Sequence, residues 1–169
     1  MTGHAVLTPM LQALSMLAGD FVTMSRAADR ARPSAYPNAW RIRNLTLAAI
    51  PLGIFKLGYY IAVLGFGWRV LRLDPGHMRT LTFLMMVLGG QVTVYVLRER
   101  GRMWDSRPAW PMLLASAAAT VCLTAFALLG VLMRPLAPDI VAGLFAMTLV
   151  YAFALDMIKV LVFRRLRID

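Results

Sequence analysis

Five apolar blocks, separated by charged residues, constrain this chain more than any other feature of its sequence. They run from about Ala5 to Met24, Leu45 to Trp68, Thr80 to Leu97, Pro111 to Met133 and Ile140 to Phe163. A bilayer core about 30 Å thick needs about 20 helical residues at about 1.5 Å each, so blocks of this length suit membrane crossings. Without period-two alternation they do not fit barrel strands of about 10 residues. The sequence therefore predicts an all-α polytopic transmembrane bundle of about five helices, in a single transmembrane domain over residues 1–169.

Positive charge is concentrated on one side of the predicted bundle. The chain has 18 Lys and Arg against 8 Asp and Glu, a net charge of +10 that would suggest nucleic acid in a soluble protein. Twelve arginines follow blocks one, three and five, whereas four lie on the other side: Arg69, Arg72, Arg79 and Arg134. The positive-inside rule places the twelve in the cytoplasm, so we expect the N-terminus outside and the C-terminus inside. The charge then implies membrane lipid as a partner and no nucleic acid.

Block one carries a polar stripe that includes a carboxylate. Gln12, Ser15, Asp20 and Thr23 recur, with Gly19, at helical spacing on an otherwise apolar helix. A carboxylate at membrane depth costs about 3 kcal/mol on insertion scales, so it needs a partner, water or a task. We expect Asp20 to carry a proton or ligate an ion, with Gln12, Ser15 and Thr23 beside it. The alternative is a helix-end carboxylate that headgroup water already hydrates.

Three more charged residues fall within the apolar blocks. Asp156 and Lys159 stand at i and i+3 in block five, a spacing that lets them pair on one helix face. Structural pairing is the expected role, and direct ion transport is the alternative. Lys56 lies midway along block two and needs a carboxylate, for which Asp20 is the candidate partner.

No catalytic or metal-binding residue is predicted in this chain. Cys122 is its single cysteine, so neither an intramolecular disulfide nor a cysteine metal site can form from it. His4 and His77 each have no second ligand near them in sequence, which indicates loop or boundary positions.

Three segments together resemble a known family, the C-terminal transmembrane half of P-type cation-transporting ATPases, and most closely the plasma-membrane proton-pump type. GDFVTMSRAADRARPSAYPNAW resembles the sixth helix of that family and the loop after it, through Asp20, Asp29, Arg30, Pro33, Ser34, Pro37 and Trp40. QVTVYVLRERGRMWDSRP resembles the eighth helix and its exit loop, with Gln91, Arg98, Arg100, Trp104, Arg107 and Pro108 in register. FALDMIKVLVFRRL resembles the tenth helix through Asp156 and Lys159.

The resemblance implies a membrane module in the plasma membrane that carries a proton or small cation. Asp20 matches the carboxylate that the family uses at its ion site, although Gly19 replaces the usual Asn and Lys56 has no counterpart. The family's phosphorylated aspartate lies in Asp-Lys-Thr-Gly, and here no Asp is followed by Lys. The resemblance therefore implies an N-terminal ATPase half as partner. ATP and Mg²⁺ would belong to that half, and this chain alone is not expected to hydrolyse ATP.

Two other functions remain open from the sequence. The chain could be a stand-alone, non-catalytic membrane scaffold or regulatory subunit that uses its helices only for packing. It could also be a passive ion leak through the isolated bundle. Neither the identity of the ion nor the oligomeric state follows from these residues.

Overall fold

Five α-helices make up the part of the chain that the structure describes, and no β-strand lies in that part. The computed structural model describes residues 7–25, 42–99, 101–105 and 107–166. In chain order the helices are α1 (Pro9–Ser25), α2 (Ile42–Arg69), α3 (Pro75–Val96), α4 (Trp110–Leu129) and α5 (Pro138–Leu166). The predicted all-α fold class is confirmed, and α2 to α5 are each long and apolar enough to cross a membrane. α1 is shorter, with 17 residues.

Part of the sequence prediction falls outside these ranges. Residues 5 and 6 of block one, the Asp29 to Trp40 portion of the resemblance, His4, Arg100 and Arg167 all lie beyond the described residues.

The central helix is α3, which packs against α1, α2, α4 and α5. The remaining principal interfaces in the described ranges join α2 to α5 and α1 to α4. Every residue from Thr80 to Met85 is buried, and Phe83 has no exposed surface. α2 and α4 instead expose large apolar side chains such as Ile54, Ile61 and Val121. This arrangement suits a bundle that α3 holds together while α2 and α4 face lipid tails.

Aromatic side chains fill the junction of α2, α3 and α5. The Tyr59 and Tyr151 rings stack with centroids 4.2 Å apart, and the Tyr59 hydroxyl lies 2.8 Å from the Thr148 hydroxyl. A Cβ at Gly89 would lie 3.1 Å from Cε1 of Tyr60. The glycine on α3 thus lets a tyrosine of α2 approach the helix backbone.

The start of α3 lies earlier in the chain than the apolar block predicted. The block began at Thr80, but the helix begins at Pro75, with the Asp74 carboxylate accepting a hydrogen bond from the Gly76 amide at 3.2 Å. A capping aspartate followed by proline at the first helical position favours this start, so the charged Arg79 lies inside the helix. The predicted start was wrong because it was placed after the last charged residue, whereas the helix begins at its capping residue.

Asp74 also joins the α2–α3 loop to the α4–α5 loop. Its carboxylate contacts His77 Nδ1 and lies 3.4 Å from an Arg134 guanidinium nitrogen. The hydrogen bond with His77 lowers the pKa of the Asp74 carboxyl, with a smaller effect from the Arg134 charge. Thr80 strengthens the same junction by donating its hydroxyl to the Arg134 carbonyl at 2.8 Å. The two loops are therefore fastened at one end of the bundle.

The end of α4 corrects the fourth predicted block, which extended to Met133. The helix ends at Leu129, and Gly130 follows with a left-handed φ of 74°. The chain then turns sharply, and the Leu136 amide donates to the Ala127 carbonyl at 2.9 Å. A left-handed glycine after a helix is a frequent C-terminal cap because it has no Cβ to clash.

Candidate ion site

A partly polar cavity of about 230 Å³ separates α1 from α3. From α1 it is bordered by Ser15, Gly19 and Thr23, three residues of the predicted polar stripe. From α3 it is bordered by Gly90 and Gln91, as well as by apolar residues. Hydroxyl groups and an amide side chain thus lie around one space between the two helices.

Gln91 is the most constrained polar residue at this cavity. Its Oε1 accepts a hydrogen bond from the Thr120 hydroxyl of α4 at 2.9 Å. Its Nε2 is buried and has no hydrogen-bond partner among the described residues. A buried amide donor without a partner costs about 1–3 kcal/mol, so a bound water or ligand oxygen would be stabilised there.

Gln91 was not predicted as a site residue, although it is one of the residues that match the eighth helix of the resembling family. A signal was available, because Gln91 is an amide within an uncharged apolar block. Polar groups inside such blocks need partners as much as charged groups do.

The predicted site residues of α1 do not all face the cavity. Gln12 and Asp20 are exposed on the surface of the described chain, and neither borders the cavity. Asp20 follows Gly19 by one position, which turns its side chain by about 100° around the helix. Ser15 is half-buried and donates its hydroxyl to the Gln12 carbonyl at 2.8 Å. The structure therefore brings Ser15 and Thr23 to the same cavity as Gln91, whereas Asp20 lies on the exposed side of α1.

Asp156 and Lys159 lie together in the interior, with 1% and 0% of their surfaces exposed. The Lys159 Nζ donates to the Asp156 Oδ1 at 2.7 Å and to the Val96 carbonyl at 2.8 Å. The Met103 amide donates to the same Asp156 oxygen at 3.0 Å. The pair on α5 thus binds the last carbonyl of α3 and the loop after it, and each charge has a close partner.

Lys56 occupies a different part of the bundle. It is half-buried, and its Nζ lies 5.8 Å from the centroid of the Tyr60 ring. Within the described ranges no ion pair joins Lys56 to Asp20, and α1 and α2 share no substantial interface there. α3 packs against both helices, so the suggested intramolecular pair does not form in this structure.

No cluster of three or more His, Cys, Asp or Glu side chains suited to a metal ion is found in the described ranges. His77 contacts Asp74 at the start of α3, and Cys122 is exposed on α4. The polar side chains that border the cavity between α1 and α3 are neutral: Ser15, Thr23 and Gln91.

Comparison with known proteins shows a distant similarity to a cation-transporting ATPase. No family model matches the chain. A Methanocaldococcus jannaschii protein named as a cation-transporting ATPase is 24% identical over 164 residues. The similarity covers 96% of this chain and 20% of that protein. The chain is thus similar, over nearly its whole length, to about one fifth of a much longer protein.

Proposed function

We propose that this chain is the C-terminal membrane module of a P-type cation-transporting ATPase of the proton-pump type. The observation that carries the proposal is the cavity between α1 and α3, bordered by the hydroxyl-bearing Ser15 and Thr23 and by Gln91, whose Nε2 has no hydrogen-bond partner among the described residues. The similarity to a named cation-transporting ATPase and the three resembling segments support the same function. The proposal includes a plasma-membrane location, an outside N-terminus and an inside C-terminus.

In this proposal the ion path follows α1. Ser15 and Thr23 offer hydroxyl oxygens, and Gln12 offers an amide oxygen nearer the outer end of the helix. Asp20 supplies the single negative charge of the path, from the exposed side of α1. An exposed carboxylate at membrane depth is costly unless another segment covers and hydrates it or binds it. We therefore place the N-terminal ATPase half against this side, so that the path is completed between the two halves.

Energy for transport would come from outside this chain. ATP and Mg²⁺ would bind the catalytic half, which would form the aspartyl phosphate. Movement of that half would change the surroundings of Asp20 and hence the relative stability of its ion-bound and ion-free forms. The contribution of this chain is then a binding surface and a rigid support, which α3 supplies through its four helix interfaces.

A chimaera tests the proposal. The matching fifth of the Methanocaldococcus jannaschii protein would be replaced by this chain, and ATP-driven uptake of protons and of other cations would be measured in vesicles. We expect uptake to fall about tenfold or more in Asp20→Asn and Gln91→Leu, equivalent to a barrier about 1.4 kcal/mol higher. Asp139→Asn is the matched control, because Asp139 is an exposed carboxylate in the first turn of α5.

The results separate the proposal from its rivals. Equal uptake in the chimaera and in Asp20→Asn would remove Asp20 from the ion path. A chain that folds and yet fails to bind the rest of the ATPase, when the two are co-expressed as separate chains, would favour the scaffold function. Asp20-dependent flux in vesicles that contain the chain without ATP would favour the passive leak.

A further inference from the structure

A second space in the bundle lies away from the candidate ion site. It is an apolar cleft of about 300 Å³ between α2 and α5, also lined by Thr93 of α3 and by Leu97, the residue that follows α3. α2 contributes Ala49, Gly53 and Lys56 to its walls, and α5 contributes Tyr151 and others. We call this space the α2–α5 cleft.

The side of the cleft that α2 forms carries small residues. Ala49 and Gly53 are four positions apart and both are exposed. A Cβ built on Gly53 would meet no atom within 4 Å. Small residues at this spacing let a second membrane helix approach closely. The shape of the cleft therefore suits a helix laid along α2.

One charged group of the cleft has no opposite charge beside it in the described part of the chain. Lys56 has a tyrosine ring near its ammonium group and forms no ion pair with any described carboxylate. The hydroxyl groups nearby are enclosed by the bundle: the Thr93 hydroxyl donates to the Gly89 carbonyl at 2.7 Å, and only 3% of Tyr151 is exposed. A positive charge thus remains available in the cleft.

The depth of Lys56 indicates what kind of group would pair with it. Lys56 lies ten residues into a span that starts at Thr46, about 15 Å into a core about 30 Å thick. A lipid phosphate resides at the surface of the core, far from this position. A carboxylate on a membrane helix can lie at any depth, and its charge is complementary to Lys56. An acidic helix therefore fits both the shape and the charge of the cleft.

We propose that the α2–α5 cleft docks a transmembrane helix from outside this chain through one Asp or Glu at mid-membrane depth. This carboxylate pairs with the Lys56 ammonium. The small residues Ala49 and Gly53 let the backbones approach. The inference does not rest on the transport function, because the cleft and the α1–α3 cavity lie between different helices.

The test uses the full chain in phosphatidylcholine vesicles and two synthetic membrane helices of Leu and Ala. One peptide carries a central Glu and the other a central Gln. A donor dye on Cys122, the single cysteine of the chain, reports binding of acceptor-labelled peptide by energy transfer. Cys122 is exposed on α4, a helix that does not line the cleft.

We expect the Glu peptide to bind about tenfold more tightly than the Gln peptide at neutral pH, a difference of about 1.4 kcal/mol. Lys56→Leu should abolish this preference, and Lys56→Arg should retain it. Gly53→Leu should weaken binding of both peptides, because a large side chain there would keep the peptide backbone away from α2. The comparison of the two peptides on the unmodified chain needs no variant, so it stands even if a variant does not fold.

Equal binding of the two peptides, or a preference that persists in Lys56→Leu, would overturn the proposal. Two other occupants have distinct signatures and would also overturn it. In the first case, labelled chains associate with one another. If both Lys56→Leu and Asp20→Asn abolish this self-association, the occupant of the cleft is a second copy of the chain. Displacement of the Glu peptide by added phosphatidylglycerol would assign it to an anionic lipid.

Discussion

Lys159 and Asp156 form a buried ion pair in which each partner also binds the backbone of another segment. The lysine donates to the carbonyl of Val96 at the end of α3, and the aspartate accepts from the amide of Met103 in the following loop. A carbonyl at a helix end has no intrahelical partner, so the lysine satisfies a group that would otherwise be buried alone. The pair therefore fastens the α3–α4 connection to α5.

Breaking this pair should be strongly destabilising. We expect Lys159→Met to lower the free energy of unfolding by about 3–5 kcal/mol, because it leaves the Asp156 charge buried without its partner. Denaturant titration in mixed micelles measures this change. Arg164→Met, at an exposed position of the same helix, is the control and should have little effect. In the double variant that combines Lys159→Met with Asp156→Leu, the loss of unfolding free energy should be smaller than the sum of the two single losses. Additive losses would contradict a direct pair.

The hydrogen bond between Tyr59 and Thr148 should contribute modestly. Tyr59→Phe removes a 2.8 Å contact and should lower the free energy of unfolding by about 0.6 kcal/mol, the usual value between membrane helices. Thr148 keeps its own bond to the Leu144 carbonyl, so the loss should stay small. Tyr60→Phe is the matched control on the same helix, and a loss of the same size there would indicate a general effect of removing tyrosine hydroxyls.

Gly130 should resist substitution because of its backbone conformation. Gly130→Ala places a Cβ at a φ of 74° and 3.0 Å from Cδ of Pro135. We expect a loss of about 1–2 kcal/mol in the free energy of unfolding. Gly143→Ala is the control, since its Cβ would meet nothing within 4 Å in a regular helix. Thermal unfolding of the two variants in one detergent makes the comparison, and equal melting temperatures would argue against the left-handed cap.

The Asp74 contacts should give the chain a pH-dependent stability. The carboxyl pKa is lowered in the folded state, chiefly by the hydrogen bond to His77, so the stabilisation is present above the unfolded pKa. It is lost as the pH falls below about 4 and through the lower folded pKa. Asp74→Asn keeps a capping side chain but removes the charge. We expect its melting temperature to be below that of the unmodified chain at neutral pH and to converge with it in acid. A constant difference across this range would show that the charge is not responsible.

The sequence predicted the five helices well because long apolar blocks carry a strong signal, and four of these helices are long and apolar enough to cross a membrane. The predicted limits of α3 and α4 were less accurate, because they were set by the positions of charged residues. In the structure α3 begins at Pro75, and α4 ends just before Gly130. Capping residues hold that information, and reading them would have moved both limits toward the observed ones.

The candidate site was only partly predictable for a physical reason. Periodicity along α1 indicates which residues share a helix, but it does not say which neighbour each one faces. The grouping of Thr23 with Gln91, and the position of Asp20 at the side, depend on how α1 rotates against α3. The contacts of Lys159 with Val96 and of Asp156 with Met103 were equally hidden, because every residue carries a backbone carbonyl and nearly every residue an amide.

The central position of α3 has a consequence for biosynthesis. α1 and α2 emerge from the ribosome before α3, yet α3 is the helix that packs against both of them. A nascent chain that stops before residue 75 therefore holds two helices without the α3 surface that joins them. The two can be brought together only after α3 has been made.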